Sequence, residues 1–201
     1  MKNKLAHKDG GKEGGTGDKS SEFLLAIRCA YGVNSAICAL DSRIFNSELR
    51  KACECNFCGS YQSNYMCPPH IGTPESCIYE TARYDWAIVF KKIYNLEDSY
   101  DYEGMMEGLR DFQNVVYGVA DFARAFFENP FVLGAGGCLL CEPCAIREGQ
   151  PCTFPKKAVS SLEAYCIQVS ELSRLAGMKY TAGENTVTYF GAVFIMNEDC
   201  R

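Results

Sequence analysis

The sequence predicts an α/β or α+β domain: a single mixed sheet of about four strands, flanking helices and two cysteine-rich loops. Three observations carry that reading. Short apolar runs alternate along the chain with helical patterns, as expected of a sheet covered by helices. One long segment, 105–126, carries an unbroken apolar stripe at helical spacing. Nine of the thirteen cysteines fall in two segments, 53–77 and 138–152, that are broken up by proline and glycine. The 201 residues suit one domain, and a 47% apolar fraction supplies a sizeable core.

Residues 1–21 are Gly, Lys and Asp with almost nothing apolar. Such a segment cannot bury enough surface to offset ordering entropy, so it reads as a disordered tail, with His7 in it and a single domain over 22–201. Residues 22–31 read as a helix stopped by Gly32. Ser35–Leu40 is a short apolar run and the first strand candidate. Asn46 or Ser47 offers a cap for a brief helix before the first cysteines. Thr73-Pro74 pairs a capping hydroxyl with proline at the first helical position, predicting a helix to about Arg83. Trp86–Phe90 is a continuous apolar run, as in a strand buried on both faces.

Residues 97–103 are acidic and read as solvated. Met105, Leu109, Phe112, Val116, Val119, Ala123 and Phe126 then recur in steps of four and three. They predict one helix of about 26 residues, ~39 Å long, ended by Asn129-Pro130. Phe131–Leu133 is a strand candidate. Gly134-Ala135-Gly136-Gly137 follows it, but Leu139 stands where a dinucleotide fingerprint needs glycine, and no Gly-Lys-Ser/Thr makes a P-loop. These glycines are read as letting backbone amides approach a metal centre. Ser160 to Glu163 has capping-box spacing for a helix. Residues 169–176 predict another, ended by Gly177. Val187–Met196 is apolar at odd and even positions, as in a central strand.

Net charge is −5, which argues against a nucleic-acid surface. No run approaches the ~18 apolar residues of a membrane span, and no apolar leader opens the chain, so a cytoplasmic location is expected. Reducing conditions there disfavour disulfides and favour metal binding. Cys29, Cys38 and Cys166 sit among apolar residues and are expected as small core residues.

Cys138, Cys141 and Cys144 repeat at intervals of three, and Cys152 follows. Two intervening residues let a tight loop aim successive thiolates into one volume. Three thiolates on one loop, with a fourth from further along, form the local pattern of a [4Fe–4S] site. Two on a loop suffice for one zinc, so the third argues for a polynuclear centre, with zinc the alternative. The first segment holds Cys53, Cys55, Cys58, Cys67 and Cys77 at irregular intervals, and Pro68 and Pro69 set the backbone after Cys67. It predicts a second cluster, or a zinc knot that staples a loop. His70 is a candidate ligand or proton donor.

Three stretches resemble a known family of predicted metal-binding proteins, domain of unknown function 2284. They are Cys58-Gly59-x-Tyr61 through Asn64-Tyr65-Met66-Cys67-Pro68-Pro69, Gly137-Cys138 through Cys152 and Pro155, and Val187-Thr188-Tyr189-Phe190-Gly191. The resemblance implies metal binding and no substrate; it matches Cys53, Cys58 and Cys67 to the family's first motif and leaves Cys55 and Cys77 unmatched. Three functions follow as expectations. The first is an electron-transfer or redox-accessory protein with one or two [4Fe–4S] clusters serving a protein redox partner. The second is an iron–sulfur enzyme with an open coordination site at the first segment. The third is a zinc-stapled interaction module using Cys55, Cys58, Cys141 and Cys144.

Overall fold

The computed structural model describes residues 18–200. In chain order it comprises α1 (Asp18–Tyr31), β1 (Asn34–Ala39), α2 (Leu49–Glu54), α3 (Pro74–Thr81), β2 (Trp86–Asn95), α4 (Tyr102–Phe126), β3 (Phe131–Leu133), α5 (Val169–Leu175) and β4 (Thr186–Ile195). The expected tail lies largely outside the described residues, but its last four positions, 18–21, belong to α1, where Ser20 is buried.

The four strands form one sheet in the order β1-β2-β4-β3, and all three ladders are antiparallel. A mixed sheet was expected because helices intervene between strands. The helix α4 does carry the chain from β2 to β3 in the same direction. The last strand, β4, then inserts between them, so like-directed strands never pair; this is a split β-α-β arrangement.

Side-chain alternation explains why β2 and β4 read as continuous apolar runs. Ile88, Phe90, Val193 and Ile195 meet Phe23 and Ile27 of α1 and Phe112, Val116 and Val119 of α4. Ala87, Val89, Ala192 and Phe194 point the other way, against Cys77, Leu162, Ile167 and Leu172. Both faces are therefore dry, and a period-two polar pattern has no place. Cys38 and Cys166 are buried as expected, but Cys29 is exposed. It stands about 200° around the helix from the buried Ile27, on the face turned away from the sheet.

The long helix begins where Asp101 accepts a hydrogen bond from the Gly104 amide at 2.8 Å. Its stripe is fully buried at Phe112, Val116, Val119 and Ala123. Thr73 caps α3 as its sequence predicts, accepting from the Ser76 amide. The helix expected after Ser160 shrinks to a single 3₁₀ turn, Glu163–Tyr165. The preceding backbone is drawn out beside β3, with Leu162 N–H donating to Gly134 C=O at 2.9 Å, and Cys166 turns left-handed at φ 62°. No helix among the described residues is long and apolar enough to cross a membrane.

Gly191 pairs with Phe90 across the central ladder, and the Phe90 ring lies over it: an added Cβ would sit 2.4 Å from Phe90 Cζ. Gly191→Ala is expected to cost about 1–3 kcal/mol through overpacking, read as a lower denaturant midpoint at unchanged m-value.

Candidate metal centre

The second cysteine loop leaves the sheet at the end of β3 and is pinned to α4 at once. Gln113, buried on α4, donates its amide to the carbonyls of Ala135 and of Gly137, the latter at 3.0 Å. The glycines make this approach possible. A Cβ at Gly134 would meet Val116 at 2.9 Å, and one at Gly137 would meet Ser60 Oγ at 2.8 Å. The close approach they permit is thus to α4 and to the first cysteine segment.

Tyr117, one turn beyond Gln113, accepts from the Leu139 amide at 2.9 Å and donates to Cys138 Sγ at 3.6 Å. Burial raises its pKa well above the usual phenol value, and the Cys138 and Cys141 sulfurs add to this against the Leu139 amide. The hydroxyl therefore stays neutral and keeps its proton to donate. Between Cys144 and Cys152 a 3₁₀ turn, Ala145–Glu148, reverses the chain and closes on left-handed Gly149.

The outcome is that Cys138, Cys141, Cys144 and Cys152 all line one small cavity. Asn64, Tyr65 and Met66 of the first segment close it. Asn64 donates to the Cys138 carbonyl at 2.8 Å and accepts from the Met66 amide at 2.9 Å, while Tyr65 O–H donates to the Gln150 carbonyl at 2.8 Å. The two cysteine segments are therefore neighbours, as the sequence left open.

Cys53, Cys58 and Cys67 line a second, larger cavity of about 440 Å³. Burial pushes the Cys67 thiol up to about 12, with the Cys58, Cys53 and Cys138 sulfurs adding to the rise. Cys53 is raised as well, chiefly by burial and against the pull of Arg50. Cys58 also borders a groove shared with Cys138, Cys141 and Cys144, so the two thiol groups adjoin. Glu163 lines the larger cavity too; water reaches it, yet protein walls it in, and the lost hydration raises its carboxyl pKa.

The structure does not bring every candidate to these cavities. Cys55 is exposed and lines neither. Cys77 lies in the core on the far face of the sheet from α4, its sulfur 3.2 Å from an Arg50 guanidinium nitrogen and donating to the Ile71 carbonyl. Arg50 also donates to the carbonyls of Gly72 and Ala164, so this buried cation is held by dipoles and a thiol. His70 is exposed, with Nε2 at 3.3 Å from the Gln62 carbonyl, and lines neither cavity. His7 lies outside the described residues. Gln113, Tyr117 and Asn64 had no assigned role in the sequence. The available signal was Gln113 and Tyr117 four residues apart at the edge of an apolar stripe.

The donor chemistry fits a thiolate-bound metal centre: four cysteines on one cavity and three on the next. Among the described residues no three such side chains converge closely enough to grip a single ion as they stand.

A family model described as predicted metal-binding protein (DUF2284) matches residues 37–195. No curated protein matches the chain, and no solved structure does. The match takes in every strand but the start of β1, both cavities and all the cysteines that line them. The chain belongs to this family of predicted metal-binding proteins.

Proposed function

We propose that this is an iron–sulfur protein that passes electrons to a protein redox partner. Cys138, Cys141, Cys144 and Cys152 hold one [4Fe–4S] cluster. Cys53, Cys58 and Cys67 hold a second, whose fourth ligand comes from Cys55 or from outside the chain. The observation that carries this reading is that all four thiols of the 138–152 loop line a single cavity. When bound, such a cluster supplies one-electron redox chemistry.

The chain's own residues have clear work around it. Gln113 and Asn64 bind the loop's carbonyls and hold the loop against α4 and the first cysteine segment. Tyr117 donates to Cys138 Sγ, a bond that draws charge from the sulfur and favours the reduced state. The adjoining thiol groups suit electron passage between two centres. A net charge of −5 suits a basic partner surface. A second reading, an enzyme with an open coordination site, is favoured by the three thiols at a cavity too large to be a closed ligand shell.

Purification without oxygen, followed by iron, sulfide and zinc analysis, tests the reading. About eight iron and eight sulfide per chain are expected for two cubanes; zinc without sulfide overturns it. Cys141→Ser is expected to lose about half of the iron, the part held by the 138–152 loop. Tyr117→Phe is expected to keep all its iron and to shift one reduction potential to a more negative value, read by redox titration.

Metal uptake also carries a proton count. The Cys53 and Cys67 thiols, both raised, stay protonated through the neutral range, so a metal must displace their protons. Apparent affinity of the metal-free protein is expected to rise about tenfold per pH unit for each proton displaced. Zinc titrations between pH 6.5 and 8.5, with Cys67→Ser losing one proton from the slope, measure it.

A further inference from the structure

We propose that the larger cavity is a binding site for a small organic amine with an apolar, ring-sized body. Its volume of about 440 Å³ lies within the range of small-molecule sites, ~300–1,000 Å³. Its walls are largely apolar and include Phe57, Tyr61, Leu109 and Tyr189. These come from four parts of the chain: the α2 loop, the segment before Cys67, the half-buried start of the α4 stripe, and β4. The third sequence stretch, 187–191, has no thiol, yet its Tyr189 faces the same space as the cysteines. Its hydroxyl is already spent on the Met105 carbonyl at 2.7 Å, so what it offers a ligand is its ring.

The sign of the charge selects the ligand. Among the described residues, Glu163 is the one carboxylate on the wall, and no Lys, Arg or His lines the cavity. Glu163 takes part in none of the ion pairs among the described residues. An anion placed in the cavity is therefore opposed by Glu163 with no cation on the described walls to offset it. An ammonium group satisfies Glu163, and aromatic faces attract it further. The apolar walls hold the body. This site goes beyond the metal reading: α4, β4 and the glycine loop form its other walls whatever the cysteines carry.

The test uses the full chain purified without oxygen and three probes of one size: benzylamine, benzyl alcohol and benzoate. Titration followed by ligand-observed NMR reads the binding. Benzylamine is expected to bind at least about tenfold tighter than benzyl alcohol, a step of ~1.4 kcal/mol, and benzoate not to compete. Glu163→Gln is expected to remove that preference while leaving benzyl alcohol binding unchanged. Tyr189→Leu is expected to weaken both amine and alcohol. Benzoate binding as tightly as benzylamine, or a full amine preference in Glu163→Gln, overturns the proposal. Iron and zinc are measured on the same samples. Amine preference in a protein free of iron sustains this site and removes the cluster; iron-loaded protein without amine preference does the reverse.

Discussion

The amide of Gln113 is the joint on which the site turns. It sits inside α4, among residues that pack the sheet, and both of its donor contacts go to carbonyls of the glycine loop. A buried amide left without acceptors carries a desolvation cost of about 1–3 kcal/mol, so helix and loop are tied in one register. The loop that carries Cys138, Cys141, Cys144 and Cys152 starts from that tie. Its own Oε1 has no hydrogen-bond partner among the described residues.

The first cysteine segment depends on the second in the same way. Asn64 and Tyr65 reach across to the Cys138 and Gln150 carbonyls, and Ser60 stands where a side chain at Gly137 would have to go. Neither loop has a ladder of its own to hold it. Side-chain bonds to main-chain carbonyls replace that ladder, and they lock the two thiol groups side by side. Burial first, and the neighbouring sulfurs second, raise the cost of ionising Cys67. A cation bound beside that sulfur would offset this cost.

Much of the fold was legible in the residues. The strands at 131–133 and 187–195, the cap at Thr73 and the stripe of α4 are local patterns with local causes. The antiparallel pairing was not legible, because the insertion of β4 between β2 and β3 is a contact between segments more than fifty residues apart. The 3₁₀ turn at Glu163 escaped for a similar reason: a sound capping pattern lost to bonds with Gly134.

The site divides along the same line. Cysteine spacing was enough to group Cys138, Cys141 and Cys144, since two-residue gaps constrain a loop whatever surrounds it, while the turn at Ala145–Glu148 brings Cys152 to the same cavity. Spacing had no such hold on Cys55 and Cys77, whose destinations are the solvent and the Arg50 pocket. Composition and periodicity determined that this chain is a sheet-and-helix domain with thiol-rich loops, because those signals are written within a few residues of one another. Only the tertiary structure decided which thiols share a space and that Glu163 and Tyr189 share it with them, because such meetings depend on how distant backbone segments pack.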